Sequence, residues 1–262
     1  MAETIKLKEY FGVNLAKLLA EKISKVYPRF EAKTFVRDVG KAVPALELKD
    51  RVNLIAQELN KHLMADHDYP SALNILLQIL GPENPKETGM FTEGYWLMPV
   101  AKFVEAYGLG HYEISMQAIY EITKRHTGEY AVRPYIEQAP QRSLRLMKKW
   151  ARDANVHVRR LSSEGLRPRL PWAKKLDIFI DDPQPVLAAL ELLKTDHSMF
   201  VKKSVANNMN DILKDNYEMA MPVLREWTAL GNEHTNWIIR HALRNRLKQN
   251  DQEAVKIIKL AF

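Results

Sequence analysis

Apolar residues recur every three or four positions along most of the chain. Leu48, Val52, Ile55, Leu59 and Leu63 are one example, a stripe down a single helical face. The same spacing predicts helices over 14–27, 46–63, 70–80, 99–107 and 112–127. In the C-terminal half it predicts helices starting near Ser143, Pro185 and Tyr217. Alternating apolar and polar runs bounded by hairpin turns are missing, so the expected class is all-α. Residues 81–96 interrupt the pattern with Pro and Gly and read as a loop. Tyr95 and Trp96 at its end have two open readings, a clamp over a ligand or rings pinned into the core.

The helices in the second half repeat. NVHVRRLSSE (155–164), SMFVKKSVAN (198–207) and TNWIIRHALR (235–244) superpose without gaps, which makes Arg160, Lys203 and Arg240 equivalent. Their separations of 43 and 37 residues bracket the HEAT-type period of about 40. Each copy follows an apolar helix. The expectation is a HEAT-like helical-repeat solenoid, an α-α superhelix with a basic concave face, in one domain spanning 1–262.

Charge changes the picture by being uneven. The whole chain totals +7, yet residues 141–175 hold eleven Lys and Arg against only Asp153 and Glu164, a local excess of +9. A concentrated excess of this kind is a footprint for a polyanion such as nucleic acid. The chain contains no cysteine, which rules out disulfides, thiolate nucleophiles and zinc sites built on sulfur. No uninterrupted apolar run suits a signal peptide or a membrane span, and the histidines lack metal-ligand spacing. The expectation is a cytoplasmic, nucleoid-associated monomer with no metal, cofactor or membrane partner.

Glu164 stands out as a carboxylate within the most basic segment. Arg160 is one turn before it on the same face, and Gly165 follows, so the acid occupies a last turn where the helix dipole opposes it. It is either a surface ion pair with Arg160 or a functional acid held ionised by that arginine. Trp172, beyond the turn RPRLPW, either plugs the next helix pair or offers an aromatic face to a base or sugar. Asn207, Asn208 and Asp211 form a polar run, with Asn207 aligned on Glu164. A hydrogen-bond ladder between repeats is one reading of the asparagines. Carboxylates in a positive trough suit glycosidic cleavage of a polyanion, where a sugar cation develops in the transition state. A non-catalytic HEAT scaffold that binds nucleic acid is the alternative.

The runs LELKDR (46–51), YEITKRHTGEYAVRPYI (120–136), NVHVRRLSSEGLRPRLPWA (155–173), VKKSVANNMNDILKD (201–215) and WIIRHALR (237–244) closely resemble the AlkC branch of the HEAT-like DNA alkylation repair glycosylases. The resemblance covers nearly the whole chain. It implies a monofunctional hydrolase of base excision repair that removes 3-methyladenine and 3-methylcytosine from double-stranded DNA without base flipping. It also implies catalytic roles for Glu129, Glu164, Asp211, Arg160 and Trp172. The residues expected to contact DNA are Lys148, Lys149, Arg159, Arg167, Arg169, Lys202, Lys203, Asn207, Asn208, Arg240 and Arg244. Some relatives carry an immunoglobulin-like domain, which this chain is expected to lack.

Overall fold

A computed structural model of the chain describes residues 6–87 and 93–262. The middle of the predicted loop, 88–92, lies outside the described residues. The chain divides into two compact units, Met1–Ala131 and Val132–Phe262.

Unit 1 contains α1 (Val13–Val26), α2 (Ala32–Ala42), α3 (Leu48–Leu63), α4 (Tyr69–Gln78), α5 (Met98–Tyr107) and α6 (Tyr112–Thr123). They form two rows. In one, α4 packs between α1 and α6, and in the other α3 packs between α2 and α5. Five of the six follow the apolar spacing. The sixth, α2, buries only Phe35 and Val39 and carries Gly40, so its stripe is too thin to read from the sequence. Tyr95 meets Tyr10 and Phe11 edge-on, and the Lys22 ammonium lies over the Trp96 ring. Both rings of the predicted loop are therefore engaged within the unit.

Unit 2 contains α7 (Arg133–Gln138), α8 (Pro140–Trp150), α9 (Val156–Glu164), α10 (Asp177–Asp181), α11 (Gln184–Leu190), α12 (Met199–Asp215), α13 (Tyr217–Thr228), α14 (Glu233–Ala242), α15 (Arg244–Lys248) and α16 (Gln252–Ala261). Here too the helices form two rows, α8–α11–α13 and α9–α12–α14. This is the helical-repeat arrangement that the spacing implied. No helix among the described residues is long and apolar enough to cross a membrane.

The helices of the second row start at side-chain caps. Asn155 accepts from His157 and Val158 N–H, Ser198 from Phe200 and Val201, and Asn232 from His234 and Thr235. Each cap satisfies amides that would otherwise lack partners at a helix start. Counted from these caps, the third copy is offset by three residues from the gap-free alignment. Trp237, not Arg240, stands level with Arg160 and Lys203, and His241, not Arg244, stands level with Glu164 and Asn207. Apolar spacing could not detect this, because a three-residue slip is close to one 3.6-residue turn and preserves the buried stripe.

Candidate active site

Two glycines seat the two glutamates. After α6 the chain doubles back at Gly128, where an added Cβ would lie 2.7 Å from both Ile119 Cγ2 and Thr123 Oγ1. Glu129 follows this close approach and is 4% exposed, with Thr127 Oγ1 donating to its Oε2 at 2.9 Å. In unit 2, α9 ends at Gly165, where a Cβ would lie 2.8 Å from Val132 Cγ1 and 3.1 Å from the Leu161 carbonyl. Glu164 is the last residue of α9 and is 5% exposed. Neither acid is on the surface.

Glu164 is held by three side chains. Arg167 Nη1 donates to its Oε1 at 2.7 Å, Arg160 Nη2 lies 3.7 Å from the same oxygen, and Ser204 Oγ donates to Oε2 at 2.6 Å. Arg167 Nε also donates to Asp211 Oδ2 at 2.8 Å, and Lys214 Nζ donates to Asp211 Oδ1 at 3.0 Å. Burial pushes the Glu164 carboxyl up. The Arg160 and Arg167 charges and the hydrogen bonds from Ser204 and Arg167 outweigh that and hold it below the usual carboxylate range. The Arg167 guanidinium is destabilised by burial but is held above its ordinary value by Glu164 and Asp211. The result is a buried carboxylate that stays ionised at neutral pH, the state needed to stabilise a developing cation.

The surface-pair reading of Glu164 therefore fails on burial, and Arg160 is its longer-range partner. The Arg160 guanidinium also lies over the Phe200 ring, 4.6 Å from its centroid. Trp172 does not plug a helix pair. It is 61% exposed, at a φ of 65°, a left-handed conformation that bulky residues rarely adopt. A strained, exposed indole is an unusual use of tryptophan and points to a ligand contact.

The residues expected to contact DNA fall into two groups. Arg159 bonds to Asp196 and to the Asp153 and Ala154 carbonyls, Arg169 forms a two-armed pair with Asp215, and Lys202 is buried beside His234. Asn208 donates to the Ser163 carbonyl, and Asn207 accepts from Arg244, whose other arm bonds to the His241 carbonyl. These residues and Arg167 are engaged between neighbouring helices. Lys149, Lys203 and Arg240 are exposed and Lys148 is half-buried. Lys148 and Lys149 end α8, in the other row, and adjoin the start of α9 in the chain. Glu164 is at the far end of that helix, about 13 Å along its axis at 1.5 Å per residue.

Ser204 and the bridging role of Arg167 escaped the sequence reading. Ser204 did leave a signal, because by the caps it occupies the buried position filled by Leu161 and Ile238 in the other copies. A hydroxyl there needs a polar partner. Asp38, Glu58 and His62 in unit 1 cluster at metal-ligand distances. However, Lys61 Nζ lies 2.7 and 3.1 Å from the two carboxylates, so an ammonium already sits among them.

No family model matches the chain. Over 252 residues it is 36% identical to the uncharacterized protein YhaZ of Bacillus subtilis (strain 168), covering 96% of this chain and 67% of YhaZ. Among solved structures it resembles the Pseudomonas fluorescens alkylpurine DNA glycosylase AlkC bound to DNA containing an abasic site analog. The TM-score is 0.88 at 35% identity, covering 97% of this chain and 68% of that one. The chain belongs to the AlkC family of DNA glycosylases.

Proposed function

We propose that this protein excises cationic N-alkylated bases of the 3-methyladenine and 3-methylcytosine type from double-stranded DNA. It hydrolyses the N-glycosidic bond and leaves an abasic site, without extruding the base. The observation that carries this reading is Glu164, a carboxylate buried yet kept ionised by Arg160, Arg167 and Ser204 in a chain of this family.

An N3-alkylated base already bears the positive charge that makes it a good leaving group. As the bond to C1′ breaks, its electron pair passes to the base, which departs neutral, and the charge moves to the deoxyribose. Glu164 and Asp211 act on that sugar cation and on the water that attacks C1′, and the water's proton is lost to a carboxylate and then to solvent. Normal bases are neutral and leave too poorly for this assistance to suffice. Trp172 packs against the nucleotide, and Arg160 holds it from the α9 side. The exposed Lys149, Lys203 and Arg240, with Lys148, neutralise phosphates, which gives weak sequence preference and steep salt dependence.

The test is Glu164→Gln. The variant is expected to bind methylated duplex like the wild type and to release 3-methyladenine slower by about 10²–10³-fold, the usual effect of removing a preorganised electrostatic group. Unchanged release by this variant refutes the assignment.

A further inference from the structure

Arg167 lies in the turn after α9, two residues beyond Gly165, and is only 8% exposed. Its Nη1 and Nε reach Glu164 and Asp211 at 2.7 and 2.8 Å, so a single guanidinium spans two acids carried by different helices. The remaining oxygens of those acids are also spoken for, by Ser204 on Glu164 and by Lys214 on Asp211. The charged groups around the pair are Arg160 on α9, Lys214 on α12 and Arg244 at the start of α15.

Two carboxylates buried together repel, and one takes up a proton unless a cation is fixed between them. Arginine suits that place because it does not lose its proton and its planar fork presents two N–H groups at a set angle. A lysine ammonium could supply the charge but could not hold both acceptors in that geometry. The N–H groups turned to Glu164 and Asp211 are also unavailable to a phosphate.

We propose that Arg167 is a positioning residue for base release: it yokes Glu164 to Asp211, aims the Glu164 carboxylate, and contacts no phosphate. The kinetic part of this inference rests on the glycosylase reading of Glu164, whereas the yoke itself does not.

The experiment compares wild type, Arg167→Lys and Arg167→Met in three measurements. These are single-turnover release of 3-methyladenine from methylated duplex, duplex binding across a salt series, and carboxyl-carbon NMR titration of Glu164. Arg167→Lys is expected to slow release about tenfold or more while the duplex Kd and its salt slope match the wild type. In Arg167→Met the acid limb of the release profile moves to higher pH, and Glu164 titrates higher by NMR. A wild-type rate in Arg167→Lys overturns the proposal. So does a salt slope lower by about one, the mark of a lost phosphate contact. If Arg167→Met does not fold, Arg167→Lys decides on rate and salt slope alone. If the wild type releases no base, the glycosylase reading fails and the yoke is judged by NMR: an unmoved Glu164 titration in Arg167→Met overturns it.

Discussion

In unit 1 the Tyr69 ring stacks on Phe103 and His111, Phe30 leans on Phe35, and most ion pairs, such as Lys25–Glu21 and Lys61–Asp38, lie at the surface. In unit 2 ion pairs run between neighbouring helices and several are largely buried, among them Arg159–Asp196 and Arg167–Asp211. Both units are two-row helical stacks, so the contrast lies in what fills the seams. Aromatic seams gain stability from burial and tolerate small shifts of the rings. A buried guanidinium–carboxylate seam adds little stability over an apolar one, but it fixes the orientation of both partners. Orientation is what a site built on carboxylates requires, and unit 2 carries Glu164 and Asp211.

The sharpest way to break this contrast is to cut one seam in each unit. Arg159→Met leaves Asp196 buried without its partner and is expected to lower stability by about 3 kcal/mol. Tyr69→Phe removes only the hydroxyl bonded to Ser115 and is expected to cost about 1 kcal/mol. Equal losses in denaturant melts of the two variants erase the distinction.

Acid should separate the units next. The folded-state value of Glu164 is depressed, so its contribution is full above the ordinary glutamate range near pH ~4.3 and is lost as pH falls through the folded value. In unit 1, Glu21 and Glu47 are also depressed, first by hydrogen bonds from Lys25 and Lys8, but they are exposed and screened by salt. Amide exchange at moderate salt should therefore show α9 and α12 losing protection before α1 and α3 as pH drops. Simultaneous loss counts against a charged seam in unit 2.

A smaller effect is expected at Trp172. Trp172→Gly relieves the positive φ and should raise stability by up to about 1 kcal/mol while weakening duplex binding. If stability falls instead, the indole is a structural plug after all. The smallest effect belongs to the surface of unit 1, where Lys25→Ala should leave Tm unchanged within error.

Much of the fold could be read from the residues. The helices with a full apolar stripe were legible, and so was Gly165 as the end of the helix that carries Glu164. Short or thinly apolar helices such as α2, α7 and α10 were not, because a buried face of two or three residues leaves no period to detect. The site was half legible. Glu164 announced itself by opposing its helix dipole inside the most basic segment of the chain, whereas its burial did not show. Ser204 left only a hydroxyl at an apolar position. Arg159, Arg167 and Arg169 looked alike in a basic run, yet each meets an acid at least 37 residues away.

Local sequence thus determined what depends on neighbours within a turn or two: the helical class, the caps, the approximate repeat and the concentration of positive charge in residues 141–175. Tertiary structure alone decided which of those charges were neutralised and which stayed exposed, and it set the register of the third copy. The physical reason is that pairing across a seam depends on the stagger and rotation of packed helices. The apolar stripe that drives packing is nearly indifferent to a slip of one turn, whereas a hydrogen bond shorter than 3 Å is not.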